Sequence, residues 1–102
     1  GPHLPRVRPV RDGRGRVSRR DERRERLLTA MPGVTETPVR AGVLAERTGL
    51  SVGQINLLLA RLTAEGRVTS RLETDAEVRP GALRGTRYRL TPGGAWERAG
   101  LT

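Results

Sequence analysis

The stretch that decides the fold spans residues 39–66 and reads VRAGVLAERTGLSVGQINLLLARLTAEG. Its first part predicts a helix that ends at Gly49, because glycine readily takes the left-handed conformation that ends helices. Ser51 then predicts the cap of a second helix, which ends at Gly66. Ala45 is small enough to let the second helix approach closely, and Leu50 fills the turn. The stretch therefore predicts two helices that cross through a tight turn.

The second helix of this motif has one apolar stripe and one outward side. Ile55, Leu58, Leu59 and Leu62 follow the spacing i, i+3, i+4 and i+7, which is typical of a single buried face. The outward side and leading turn consist of Ser51, Val52, Gly53, Gln54, Asn56, Leu57, Ala60 and Arg61. Leu57 does not fit a polar outward side. We expect it to broaden the core stripe or to pack against the first helix of the chain, which is predicted to begin near Ser18.

The flanking segments predict one further helix and a hairpin. A helix beginning near Ser18, where residues 18–21 have capping-box spacing, would end at Pro32-Gly33 and bury its second half. After the motif the apolar period changes to two over residues 67–72 and 86–90, which predicts two paired strands. They are joined by TDAEVRPGALRG, residues 74–85, which suits an exposed flap. Thr91-Pro92 opens a short final turn or helix that contains Trp96.

Charge is the dominant feature of the composition. The 102 residues fit one domain and carry 20 arginines, no lysine and 11 acids, for a net charge of +9, which favours a polyanionic partner. The choice of Arg over Lys suits phosphates and guanine edges, or reflects a GC-rich coding bias. Residues 1–17 predict a disordered Arg-rich arm, and residues 18–102 the folded domain. Gly1 and Pro2 are typical of the remnant of a cleaved tag, to which His3 can also belong.

Several classes of site are disfavoured. With no cysteine and a single histidine, the chain offers no disulfide, no thiolate nucleophile and no Cys/His zinc site. No catalytic constellation is recognisable, so we expect neither an enzyme nor a cofactor. No apolar run approaches the roughly 18 residues of a membrane span, and the start lacks a signal peptide. We therefore expect a cytoplasmic, nucleoid-associated protein with no membrane partner.

The segment LAERTGLSVGQINLLLARLTAEGRV, residues 44–68, resembles the helix-turn-helix of bacterial winged-helix regulators of the MarR and PadR kinds. TRYRLTPGG, residues 86–94, is similar to the strand and turn that close their wing. The resemblance covers about residues 27–94. It implies a mainly α fold with a small β-hairpin (α+β), in which three helices accompany a two- or three-stranded wing. It also implies that the second motif helix enters the major groove and the wing touches the backbone or minor groove.

Specific contacts follow from the resemblance. Gln54 and Asn56 would pair with adenine edges, and Arg61 with a phosphate or guanine. Ser51 and the first helical N–H groups would hold a phosphate, unless Ser51 serves only as a cap. For Gln54, Asn56 and Arg61 the alternative is plain solvation of an exposed face. For Leu57 the alternative to the expected core position is contact with a thymine methyl group.

The wing and the arm carry further arginines. The wing candidates are Arg79, Arg84, Arg87 and Arg89, and the acids at 73, 75 and 77 favour contact near the tip, residues 79–84. The arm candidates are Arg6, Arg8, Arg11, Arg14 and Arg16, with Arg14 and Arg16 nearest the domain. We rank non-specific electrostatic contact by the arm above minor-groove readout, because charge alone carries no base information.

These features favour sequence-specific binding of double-stranded DNA by a bacterial transcription regulator. One alternative is the DNA-motif-reading module of a larger translocase, FtsK-like or conjugative. Another is a winged-helix protein-interaction module, since fold alone does not establish function. The oligomeric state stays open between a fragment, a monomer on direct repeats and a homodimer formed through the first helix and the turn around Trp96.

Overall fold

The computed structural model describes residues 19–101, with Arg19 and Arg20 described by their backbone alone. The described residues form four helices and a three-stranded antiparallel sheet, an α+β architecture compatible with the predicted winged-helix-like fold. In chain order the elements are α1 (Arg19–Ala30), β1 (Val39–Arg40), α2 (Ala41–Thr48), α3 (Val52–Ala64), β2 (Val68–Leu72), β3 (Thr86–Leu90) and α4 (Pro92–Ala99). The predicted arm and the Ser18 cap lie outside these residues. Across residues 19–101, no helix combines the length and apolar character that crossing a bilayer requires.

The core lies where α1, α2 and α3 meet the sheet. The predicted stripe of α3 is buried throughout, and the apolar second half of α1 packs against it, as the sequence indicated. The buried apolar side chains are Leu27, Leu28, Met31, Leu44, Ile55, Leu58, Leu59, Leu62, Val68 and Leu90. Removal of these side chains from water is the main stabilising contribution in a domain that has no cysteine to form a disulfide.

The turn between α2 and α3 confirms the predicted helix end. Gly49 has φ 78°, in the left-handed region, and its N–H donates to the Ala45 carbonyl at 2.9 Å. Thr48 is buried beside it, and its Oγ1 donates to the Leu44 carbonyl at 2.8 Å and accepts from the Leu50 N–H at 3.1 Å. This hydroxyl satisfies backbone groups that the turn would otherwise leave unpaired. These hydrogen bonds therefore fix the conformation of the turn and, with it, the angle between α2 and α3.

The sheet has the order β1-β3-β2 and corrects one predicted boundary. Val39 and Arg40 were predicted as the start of the second helix, but they form β1, and the helix begins at Ala41. The reason is tertiary, because β3 offers a free edge on which Val39 lies opposite Tyr88. The predicted hairpin is confirmed in β2 and β3, which pair in register from Val68 opposite Leu90.

The fold ends in a fourth helix where three had been expected, although the sequence allowed a final turn or helix here. Thr91 caps α4 by accepting from the Gly94 N–H at 3.1 Å, and Pro92 occupies the first turn. A Cβ at Gly94 would lie only 1.9 Å from the Arg67 carbonyl oxygen. The absence of a side chain at Gly94 thus lets α4 lie directly on the backbone that enters β2.

A cluster of ion pairs joins the two ends of the described chain. The guanidinium of Arg24 donates to Glu97 at 2.8 and 2.9 Å and to Glu65 at 2.6 Å. The Nε of Arg67 lies 3.1 Å from Glu97, an ion-pair distance at which its N–H is not aligned for a hydrogen bond. The hydrogen bonds from Arg24 lower the pKa of both glutamates below their ordinary value. The cluster connects α1 with α4 and with the end of α3.

Candidate nucleic-acid interface

The first turn of α3 is organised by a reciprocal cap. The Gln54 N–H donates to Ser51 Oγ at 3.2 Å, and the Ser51 N–H donates to Gln54 Oε1 at 3.1 Å, forming a capping box. The sequence analysis identified Ser51 as the cap but missed the role of Gln54. The signal was present, because Ser followed three residues later by Gln is a capping-box pattern. With its carbonyl oxygen engaged, Gln54 keeps its amide N–H groups for an external acceptor.

The outward side of α3 is confirmed as an exposed surface for all but one of the predicted residues. Ser51, Val52, Gly53, Asn56 and Arg61 are exposed, and Gln54 is half-buried. The predicted residues of this helix thus cover its solvent-facing half, with Asn56 toward one edge and Gln54 and Arg61 toward the other. Among residues 19–101, the guanidinium of Arg61 has no hydrogen-bond or ion-pair partner. From Arg47 to Ala64 the sequence contains no acid, and the nearest carboxylates are those of Asp21 and Glu65, which line a neighbouring pocket with Arg61.

Leu57 corrects the sequence analysis. It was expected in the core beside Leu58 and Leu59, but its side chain is 74% exposed. At 100° per residue it points away from the mean direction of the buried stripe, so it lies near the middle of the outward side. Its neighbour Leu58, 8% exposed, faces the core. Three leucines in a row therefore divide between core and surface according to helical phase.

The outer face of the sheet carries a row of arginines, one on each strand. Arg87 in β3 lies opposite Arg40 in β1 on one side and opposite Arg71 in β2 on the other. Like charges placed directly across a sheet are destabilising unless something neutralises them. Here two acidic side chains, Glu73 and Glu77, receive the guanidinium groups.

Glu73 is the centre of this arrangement and was not recognised from the sequence. It directly follows β2, and its side chain is fully buried. It accepts from Arg40 Nε at 2.7 Å, from Arg87 Nε at 2.9 Å and from the Gly85 N–H at 3.0 Å. Burial would raise the pKa of this carboxyl, but Arg40 above all, then Gly85 and Arg87, hold it well below the ordinary range. A buried charge is acceptable here because it is fully paired.

The flap between β2 and β3 is held to the sheet by further pairs. Arg71 binds Glu77 through two hydrogen bonds of 2.8 and 3.0 Å, which, with the Thr74 N–H, lower the pKa of Glu77 to about 2. Arg84 donates to the Glu73 carbonyl and lies 2.5 Å from Asp75. The acids of the flap, expected only to weaken phosphate contact, therefore bind the arginines of the same hairpin.

Two of the four wing arginines that were predicted to contact DNA take part in these ion pairs, and two do not. Arg84 and Arg87 have intramolecular ion-pair partners. Arg79 is exposed near the tip, and Arg89 lies half-buried on the outer face of β3, opposite Thr69. Within the described range, neither Arg79 nor Arg89 has a side-chain partner. Arg14 and Arg16 lie outside the described residues.

No three His, Cys, Asp or Glu side chains between residues 19 and 101 lie close enough together to hold a metal ion. The side chains of Glu73, Asp75 and Glu77 are paired with guanidinium groups.

The chain was compared with known proteins. No protein-family model matches it, and no curated protein matches it. Its fold is similar to the crystal structure of a protein from Ralstonia eutropha JMP134 that is described provisionally as DNA-binding. The two structures superpose with a TM-score of 0.61 over 79% of this chain and 95% of the other, at 22% sequence identity. At that identity the similarity shows that the two proteins share a fold.

Proposed function

We propose that this protein binds double-stranded DNA at specific sequences and regulates transcription, with α3 in the major groove. The observation that carries the proposal is the outward side of α3, which presents amide, hydroxyl and guanidinium groups and contains no carboxylate from Arg47 to Ala64. An α-helix fits the major groove, where Asn and Arg find complementary patterns on adenine and guanine. The fold supports the assignment, since the similar structure from Ralstonia eutropha is described as DNA-binding.

The first turn of α3 supplies the proposed phosphate contact. Helix N-termini attract anions because their first N–H groups lack intrahelical acceptors and the helix dipole is positive there. The capping box uses the N–H of Gln54 and leaves those of Val52 and Gly53 directed out of the helix. The Ser51 hydroxyl accepts the Gln54 N–H and keeps its own proton for a phosphate oxygen. Ser51 therefore serves both as cap and as phosphate donor.

The wing is assigned a smaller role than the sequence suggested. Arg79 at the exposed tip and Arg89 on the sheet are the wing arginines available to phosphates, whereas Arg84 and Arg87 hold the hairpin together. Arg14 and Arg16, with the other arm arginines, add affinity that does not depend on sequence. Specificity then depends on Asn56, Arg61 and the amide group of Gln54.

Substitution of Gln54 by Glu tests the proposal. Glu is the usual capping-box partner, and a negative charge stabilises a helix N-terminus, so the fold should be retained. A carboxylate on the DNA-facing turn would repel phosphates and lower duplex affinity by at least about tenfold. Binding of labelled duplex DNA is followed by fluorescence anisotropy at several salt concentrations, and circular dichroism checks the fold.

The matched control is Thr35→Glu, which adds the same charge to an exposed loop outside α3. It should change duplex affinity by less than about threefold, since only the long-range charge differs. If Gln54→Glu and Thr35→Glu lower duplex affinity equally, the result would contradict the placement of α3 on DNA. Absence of duplex binding by the unaltered protein at low salt would remove the proposal altogether.

A further inference from the structure

The exposed Leu57 has no role in the fold or in the contacts described so far. It lies in the middle of the outward side of α3 with 74% of its surface accessible. Gln54, Arg61 and Arg23 of α1 line a shallow groove of about 200 Å³ with it. The leucine is therefore an apolar group set among a hydrogen-bonding amide and two cations.

The residues around Leu57 make it prominent. Gly53, one turn earlier, and Ala60, one turn later, are exposed and small. A Cβ at Gly53 would find only Ser51 Oγ within 4 Å, at 3.9 Å, so packing does not require glycine there. Glycine in a helix costs about 0.5–1 kcal/mol relative to alanine. The helix surface is thus open on both sides of the leucine, which leaves room for close approach of a partner.

We infer that Leu57 reads the 5-methyl group of a pyrimidine in the major groove, next to the base contacted by Asn56. The inference rests on the proposed DNA-binding function and names what its central residue recognises. The 5-methyl group of thymine is the apolar feature that base edges present in this groove, and apolar side chains contact it. The same chemistry is offered by thymine and by 5-methylcytosine.

Charge decides in favour of DNA over a protein partner. An apolar side chain on a helix face also suits a protein groove, but here Arg23 and Arg61 flank it and no acid lies between Arg47 and Ala64. A polyanion neutralises these cations while its base edges meet the leucine. Asn56 is exposed and adjacent, so a hydrogen bond to one base and an apolar contact with a neighbouring base fit a single pose.

The experiment begins with selection of bound sites from random duplex DNA by the full chain. Each thymine of the selected site is then replaced singly by deoxyuridine, which removes only the methyl group, and each cytosine by 5-methylcytosine. We expect one thymine replacement to lower affinity about three- to fivefold, the amount that burial of one methyl group contributes. If the natural contact is 5-methylcytosine, methylation of one cytosine raises affinity by a similar factor instead.

Leu57→Ala decides whether the leucine is responsible. The side chain is exposed and alanine is a good helix former, so the variant should fold normally. It should lose the methyl discrimination at that one position. Asn56→Ala is the matched control, which should lose preference at the neighbouring base and keep the methyl discrimination.

The outcomes separate this inference from the proposed function. If the unaltered protein fails to bind any duplex, the proposed function is wrong. If it binds duplex without sequence preference, the sequence-specific part of the proposed function fails as well. If it binds a selected site but no methyl change alters affinity, only the role of Leu57 is overturned. The same holds if Leu57→Ala retains the full methyl discrimination.

Discussion

The buried carboxylate of Glu73 accepts a 2.7 Å hydrogen bond from Nε of Arg40, a residue 33 positions earlier in the chain. The pair joins the end of β2 to β1 across β3, which lies between them in the sheet. Because Arg87 on that middle strand also donates to Glu73, the carboxylate bridges two arginines that face each other and reduces their repulsion. The root of the wing is therefore stabilised internally.

Glu73→Gln should lower the free energy of unfolding markedly. The neutral amide replaces a fully buried, fully paired charge and leaves Arg40 and Arg87 opposite each other. Asp75→Asn is the matched control in the same flap, because Asp75 is 94% exposed and its pair with Arg84 should contribute at most about 1 kcal/mol. Urea unfolding at neutral pH compares the two variants. Similar decreases in the free energy of unfolding would contradict the larger stabilising role assigned to Glu73.

The contribution of Glu73 to the free energy of unfolding should decrease as the pH falls. Its pKa in the folded protein lies below the ordinary value of 4.5, so the folded state favours the ionised form. The stabilisation is complete above about pH 4.5 and is lost as the pH falls toward the folded pKa. The stability difference between the unaltered protein and Glu73→Gln should narrow steadily below that pH. A constant difference between neutral pH and pH 3 would contradict this assignment.

Gly94→Ala should be among the most damaging single substitutions in α4. Its Cβ would lie 1.9 Å from the Arg67 carbonyl and 2.9 Å from Leu90 Cδ2, so the helix must move off the sheet, at a cost of about 2 kcal/mol or more. Gly42→Ala in α2 is the control, since a Cβ there meets nothing within 4 Å. It should stabilise the protein by about 0.5–1 kcal/mol. Thermal unfolding of both variants measures the contrast.

Arg79→Gln and Arg87→Gln should have opposite consequences. Removal of the exposed Arg79 should reduce the salt dependence of duplex binding by about one phosphate contact and leave stability unchanged. Removal of Arg87 should mainly lower stability, because Glu73 loses a donor at 2.9 Å. Anisotropy titrations and urea unfolding distinguish them. A stable Arg87→Gln protein with weakened DNA binding would show that Arg87 contacts phosphate after all.

Duplex affinity should fall steeply with salt, with a log-log slope near minus five if five or six phosphates are neutralised. Deletion of residues 1–17, which contain five arginines, should reduce this slope and retain the sequence preference. The measurement is the affinity for the selected site and for random duplex over a range of salt concentrations. If the deletion abolishes the preference for the selected site over random duplex, the arm itself contacts bases.

Sequence reasoning was most successful where the determinants are local. The left-handed end of α2 at Gly49, the cap at Ser51 and the buried stripe of α3 were all predicted, because each depends on residues within one or two helical turns. The two strands were predicted from their period of two, although burial alternates along neither β2 nor β3. The pattern failed at Leu57, where an apolar neighbourhood suggested the core but helical phase directs the side chain outward.

By itself, then, the sequence determined the order and type of the main elements and the surface on which DNA contact is proposed, since periodicity and capping act over short distances. Only the tertiary structure decided which arginines of the wing are paired within the protein and how α4 packs on the sheet. Glu73 and Arg40 are 33 residues apart, and Gly94 contacts the backbone of Arg67, so neither relationship is a property of a local pattern. They arise because β3 lies between β1 and β2 and because α4 folds back on the sheet. Those contacts engage the arginines at the root of the wing, whereas Arg61 and Arg79 have no side-chain partner within residues 19–101 and Leu57 is exposed.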